Sequence, residues 1–282
     1  MSTDLYMIRP DGGLNLASNQ VTWFSFLQCS RAMNSTQGGW NFKAHWRKKG
    51  LHILAKQDSE IAALWLRNSL KNNCLLKPRS KDFKLKRQLS EEREQLKHAW
   101  DSSEHDTNKC REDELNVGLY FQPPDGVRWL SYEVPLCRER AGQLEIDLVG
   151  YSNSPNPSLE IFELKAGNGT DSPLMALVEA ICYAIQIHRC RTALLTEMKA
   201  SPEGSVGVTE KHFQRIKITL AAPNKYWTYY WEVTDDDRQK MAEIVEKLNQ
   251  ALEVEDKQTR FSLATATIDQ SKLKVDYPIS SR

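Results

Sequence analysis

The chain lacks the short signatures of the commonest metal and cofactor proteins. Its six cysteines include no C-x-x-C pair, and its six histidines form no H-E-x-x-H cluster. That spacing suits neither a zinc site nor a disulfide scaffold, so most of the cysteines are predicted to be reduced. No G-x-x-x-x-G-K-[ST] sequence occurs, so a P-loop ATPase is not indicated.

Long apolar runs are also missing. No stretch of about 18 apolar residues is present, which predicts that no transmembrane helix forms. Residues 1–10 lack the apolar segment of a signal peptide. We therefore expect a protein without a membrane partner that resides in the cytoplasm.

A strong charge of either sign is absent as well. The formal net charge is +1, which neither supports nor excludes a partner with a phosphate backbone. The charge is unevenly distributed, because residues 77–87, KPRSKDFKLKR, hold six Lys or Arg and one Asp. We call these residues the basic segment. Its Lys84, Lys86 and Arg87 are candidates for contacts with nucleic acid, although a charge run also suits a plain solvated surface.

Two apolar runs in the middle of the chain carry isolated charges. Residues 144–151, LEIDLVGY, and 159–165, LEIFELK, flank a loop of Ser, Asn and Pro residues, which predicts a β-hairpin. Asp147 lies in the first strand. Glu163 and Lys165 end the second strand two positions apart, so they project from the same face. Such charges need a partner, because burial of an unpaired charge is costly.

A metal site provides one explanation for these charges. Carboxylates on adjacent strands, Asp147 and Glu163, can hold Mg²⁺, with Mn²⁺ as a substitute and the Leu164 carbonyl as a further oxygen ligand. Lys165 beside them can orient a metal-bound water and offset charge on a phosphoryl group. A salt bridge on the strand face, between Lys165 and one of the carboxylates, remains the alternative.

The pattern of Ile146-Asp147, a polar loop and Glu163-Leu164-Lys165 resembles the signature of the PD-(D/E)xK nuclease superfamily, which has the restriction-endonuclease-like fold. The resemblance covers roughly residues 110–225, and Ile146 stands where the family name has Pro. It implies an α/β fold with a mixed central sheet flanked by helices. It also implies Mg²⁺-dependent phosphodiester hydrolysis, with Asp147 and Glu163 as ligands and Lys165 as the catalytic lysine.

Family members often place an additional Glu on the helix that precedes the sheet. Glu114, on a predicted helix within 111–121, is the preferred candidate for this metal ligand, and Glu112 is the next choice. Glu133, on the preceding predicted strand, is an independent candidate for substrate binding. A surface carboxylate without a role explains each of them equally well.

A buried helix is predicted to begin at Ser172-Pro173, with Ser as N-cap and Pro at the first helical position. Its polar exceptions include Glu179 and Tyr183, which share one face. In the exonuclease branch of the family, a Gln-x-x-x-Tyr pair on this helix faces the active site, and Glu179 and Tyr183 resemble it with Glu in place of Gln. A hydrogen-bonded buried pair is the alternative.

Three regions are predicted along the chain. Residues 1–90 form an N-terminal extension that engages substrate or mediates dimerisation, 91–253 form the nuclease-like core, and 254–282 form a C-terminal tail with one strand. The expected function is that of a Mg²⁺-dependent nuclease, with DNA as the favoured substrate. The alternatives are a non-catalytic nucleic-acid-binding or assembly protein that retains the fold, and an unrelated α/β protein with a coincidental triplet.

Overall fold

The computed structural model describes residues 106–135, 145–169, 173–199, 207–230, 235–269, 272–274 and 278–279, together with the single positions 94, 95 and 98. The predicted N-terminal extension, residues 1–90, lies entirely outside these residues. The same is true of its basic segment with Lys84, Lys86 and Arg87. Within the described part, no helix is long and apolar enough to cross a bilayer.

The strands of the described residues form one mixed sheet. Their bounds are β1 Val127–Pro135, β2 Glu145–Ser152, β3 Ser158–Leu164, β4 Arg215–Pro223, β5 Arg260–Asp269, β6 Lys272–Lys274 and β7 Pro278–Ile279. The order is β1-β2-β3-β4-β5-β6, and β7 also pairs with β5. β1, β2 and β3 are antiparallel neighbours, whereas β3, β4 and β5 run parallel. The predicted hairpin and the predicted mixed sheet are both confirmed.

Helices connect and cover the strands. Their bounds are α1 Glu112–Phe121, α2 Pro173–Lys199, α3 Glu210–Phe213, α4 Asn224–Tyr230 and α5 Asp235–Glu255. α1 begins with three acidic residues in its first turn, where the helix dipole favours negative charge. α2 begins at the predicted proline but continues to Lys199, well beyond the apolar run that ends near Ile187. α4 was not predicted.

The two faces of the sheet have different surroundings because side chains alternate along each strand. Leu148, Phe162 and Leu164 lie on one face and pack with Leu115 and Leu119 of α1 in a buried apolar cluster. The opposite face of β3 carries Glu163 and receives α2, which packs against β3 and β4. Helices on both faces of a mixed sheet define an α/β architecture.

The segment predicted as a C-terminal tail contributes to the sheet. β5 pairs with β4 along its whole length, from Arg215↔Arg260 to Pro223↔Ile268. The one strand predicted for this tail is therefore present, and it lies inside the sheet. Parallel strands need a long crossover connection, which α4 and α5 provide here.

Candidate active site

The candidate site lies where β2 and β3 separate. Their ladder runs from Ser152↔Ser158 to Leu148↔Phe162. One position further, the same register would place Asp147 opposite Glu163, but the β2–β3 ladder ends there, while β2 remains paired with β1 and β3 with β4. Asp147 and Glu163 therefore flank a gap at the carboxyl end of β3. In open α/β sheets, the carboxyl ends of the strands are the usual place for ligands.

Backbone contacts fix Asp147 at this gap. Its Oδ2 accepts a hydrogen bond of 2.6 Å from the Leu164 N–H. Because the N–H and C=O of a strand residue point to the same side, the Leu164 carbonyl also faces β2. The Asp147 carbonyl accepts a 3.0 Å bond from Asn116 Nδ2, on the buried face of α1. The two contacts tie both β3 and α1 to Asp147.

Lys165 lies between two buried carboxylates. Its Nζ donates to Glu163 Oε1 at 2.6 Å and to Glu179 Oε2 at 3.2 Å. The exposed fractions of Glu163, Lys165 and Glu179 are 3%, 6% and 2%. Lys165 follows the last residue of β3, and its N–H continues the β3–β4 pairing by donating to the Ala221 carbonyl at 3.0 Å. The ammonium group is therefore held from the strand and from α2 at once.

The buried charges shift one another's pKa. Burial raises the pKa of Glu163 well above its ordinary value, and the charges of Asp147 and Glu179 raise it further against the opposing effect of Lys165. Burial alone would lower the pKa of Lys165, but Glu163 and Glu179 outweigh it and raise the pKa well above the ordinary value. Lys165 is thus a permanent cation at neutral pH.

Asp147 is only partly buried and marks the open side of the site. Burial raises its pKa to about 8, the charge of Glu112 adds to the shift, and Lys165 opposes it. Glu112, also partly exposed, acts on Lys165 as well. Acidic groups outnumber the lysine at this point, and a bound divalent cation would favour their ionised forms.

No family model, curated protein or solved structure matches this chain. The resemblance to the nuclease superfamily therefore depends on Asp147, Glu163 and Lys165 themselves and on the strands that bring them together.

The structure separates the two glutamates predicted on the first helix. Glu114 Oε2 accepts a 2.7 Å bond from the Arg111 N–H, and its Oε1 lies 3.5 Å from Arg111 Nε. This carboxylate caps its own helix, as a Glu at the third helical position commonly does. Glu112 is the one whose charge acts on Asp147. These contacts favour Glu112 as the carboxylate nearer in effect to Asp147, and the metal-ligand role of Glu114 stays a prediction.

Glu133 lies opposite Asp147 on β1. The pairs Tyr132↔Leu148 and Val134↔Ile146 flank it. Its φ is +41°, in the left-handed region that side chains other than glycine rarely adopt. The sheet is thus irregular on both sides of Asp147. A role for Glu133 in substrate binding stays a prediction.

The predicted pair on α2 lies at the site. Glu179 reaches Lys165, and Tyr183 is 2% exposed on the same helix face. Burial raises the pKa of Tyr183 well above its ordinary value, and the charges of Glu163 and Glu179 add to the shift. Tyr183 therefore stays protonated. Contact of either residue with substrate stays a prediction.

The loop after Lys165 is fixed by the turn that precedes α1. A Cβ on Gly167 would lie 2.5 Å from the Asn108 carbonyl oxygen, so only glycine fits there. Asn108 Oδ1 also accepts a 2.9 Å bond from the Lys225 N–H, which follows β4. The turn thereby joins the ends of β3 and β4 beside the site.

The donor set suits Mg²⁺ in its chemistry, although it offers few side-chain ligands. Among the described residues, no three His, Cys, Asp or Glu side chains form a ready-made metal-binding group. However, Glu163 Oε2 is buried and has no hydrogen-bond partner, and Asp147 brings a second carboxylate. Two carboxylates and a carbonyl fit an ion that keeps several of its waters.

Two residues that hold or border the candidate site were not predicted from the sequence. Asn116 holds the Asp147 carbonyl, and an amide within the otherwise apolar LNVGLY segment of α1 was a detectable signal. Asn108 borders the site through its backbone. Its approach to Gly167 joins residues 59 positions apart, and no local pattern announces it.

Proposed function

We propose that the chain is a Mg²⁺-dependent nuclease with a restriction-endonuclease-like core that hydrolyses phosphodiester bonds, with DNA as the favoured substrate. The observation that carries this proposal is the meeting of Asp147, Glu163 and Lys165 at the gap between β2 and β3. Two strands and a buried helix position these charges, as a catalytic constellation requires.

Each residue has a distinct role in this proposal. Asp147 and Glu163 would hold the ion, with the Leu164 carbonyl as a further ligand and Glu112 as an additional carboxylate whose charge acts on Asp147. When bound, the ion polarises the phosphoryl oxygen and lowers the pKa of water. Lys165 orients the attacking water and offsets the charge that develops on the phosphoryl group. The Leu164 N–H holds Asp147 Oδ2, so Asp147 keeps its orientation.

One observation favours the second candidate, a non-catalytic nucleic-acid-binding or assembly protein with the same fold. Lys165 is 6% exposed and bonded to Glu163 and Glu179, so its charge is compensated by these two carboxylates without an ion. A buried salt bridge with only a structural role would explain this arrangement without catalysis. The free Oε2 of Glu163 and the open side at Asp147 favour the nuclease.

A cleavage assay with matched variants tests the proposal. The full chain is incubated with linear and circular DNA and with RNA, in Mg²⁺, in Mn²⁺ and in EDTA. We expect cleavage of DNA that depends on the metal and is lost in Lys165→Met. Glu160→Gln is the control, because Glu160 is a buried carboxylate of β3 on the opposite sheet face, paired with Lys217. Cleavage that persists in Lys165→Met would refute the catalytic assignment, and binding of DNA without cleavage would favour the second candidate.

A further inference from the structure

Lys165 has two carboxylate partners, and only Glu163 has a proposed role as a metal ligand. We propose that Glu179, on α2, is a positioning residue, which holds the Lys165 ammonium when Glu163 binds the metal ion. This inference rests on the proposed function. Glu179 stands where the exonuclease branch of the similar family has Gln, and a neutral Gln would offset the charge of Lys165 only in part.

The distances show why a second partner is needed. Lys165 Nζ lies 2.6 Å from Glu163 Oε1, nearer than the 3.2 Å to Glu179 Oε2. The ammonium thus occupies one oxygen of the carboxylate that is proposed to bind the metal. A divalent ion at Glu163 repels the ammonium, because both are cations that share one anionic partner.

Burial prevents Lys165 from escaping into solvent. A buried ammonium that loses its only partner is costly, so without Glu179 the lysine would stay on Glu163 and compete with the ion. Glu179 removes this competition, because it gives the ammonium a second carboxylate partner. Glu179 lies on α2, which packs against β3 and β4. Its own exposed fraction of 2% shows that it is shielded from solvent as Lys165 is.

The proposal predicts a specific coupling between Glu179 and Lys165 in metal affinity. Mn²⁺ dissociation constants are measured calorimetrically for the full-length wild type, Glu179→Ala, Lys165→Met and the double variant. We expect Glu179→Ala to bind Mn²⁺ about tenfold more weakly, within the usual range of coupling between two sites. The double variant should bind as tightly as Lys165→Met, because no ammonium remains to compete.

Kinetics and a conservative variant provide a second readout. At saturating Mn²⁺, Glu179→Ala should lower kcat by about tenfold or more while KM for DNA changes little, as expected when a group acts in the transition state. Glu179→Gln keeps the volume and one acceptor oxygen, so we expect a smaller effect in the same direction. If the alanine variant does not fold, as judged by circular dichroism, the glutamine variant carries the test.

Three results would overturn the inference. Unchanged Mn²⁺ affinity and kcat in a folded Glu179→Ala would show a merely structural ion pair. Weak affinity that persists in the double variant would show that Glu179 binds the ion itself. An equal effect of Glu160→Ala would show general destabilisation. If the wild type neither binds Mn²⁺ nor cleaves DNA, the proposed function fails first, whereas a wild type that does both isolates any failure to Glu179.

Discussion

Replacement of Lys165 by Met tests stability and chemistry together. The substitution keeps an unbranched apolar stem of similar volume, so it removes the charge without opening a large cavity. Glu163 and Glu179, which flank Nζ at 2.6 and 3.2 Å, would then lie near each other without a cation. The variant should therefore be less stable than the wild type in EDTA.

The structure sets the size of this loss. Removal of one partner from a buried ion pair costs about 3–5 kcal/mol. At roughly 2–4 °C per kcal/mol for a large domain, Tm should fall by roughly 6–20 °C. A proton taken up by Glu163 limits the loss, because burial already raises the pKa of Glu163. The lower part of this range is therefore expected at acidic pH.

Metal should reverse the loss of stability but not the loss of activity. An ion at one hundred times its Kd adds about 2.7 kcal/mol of stability. We expect Mn²⁺ to raise Tm more in Lys165→Met than in the wild type, because the ion replaces the missing cation. Cleavage should stay about 10²–10⁴-fold slower. Calorimetry with and without Mn²⁺, followed by a cleavage assay on the same samples, decides the matter. A stable variant with wild-type cleavage would refute the reasoning.

Three further predictions concern the surroundings of the site. Asp147 binds its proton more tightly in the folded chain, so stability in EDTA should fall as pH rises from the ordinary pKa of 3.8 to about 8, and Asp147→Asn should flatten this dependence in urea melts. Gly167→Ala, which brings a Cβ against the Asn108 carbonyl, should cost about 1–3 kcal/mol in urea unfolding. A milder loss is expected for Gly169→Ala, and equal losses would contradict the argument. Alanine at the three candidate cations of the basic segment should lower the slope of log K against log salt by about 2.7 for duplex DNA, and an unchanged slope would reject their contact with phosphates.

Local signals account for the parts of the fold that the sequence predicts well. The hairpin of β2 and β3 follows from two short apolar runs and the turn-forming residues between them. The start of α2 follows from the Pro at its first position. The helix continues past its buried part through exposed polar residues such as Arg191, because polar positions do not end a helix.

Long-range packing accounts for what the sequence does not predict. The pairing of β5 with β4 joins strands separated by two helices, so β5 was assigned to a tail. Glu112 and Glu114 are two positions apart on one helix and point in different directions, and only the docking of α1 decides which of them approaches Asp147. The double pairing of Lys165 likewise depends on how α2 meets the sheet.

The central claim is that Asp147 and Glu163 hold the ion on which phosphodiester hydrolysis depends. The most direct measurement is the rate of DNA cleavage by the full-length chain as a function of Mn²⁺ concentration, beside a calorimetric Mn²⁺ titration of the same protein. The account predicts that the midpoint of activation coincides with the Kd of the ion, and that Asp147→Asn loses both. Absence of Mn²⁺ binding, or cleavage that continues in EDTA, would contradict it.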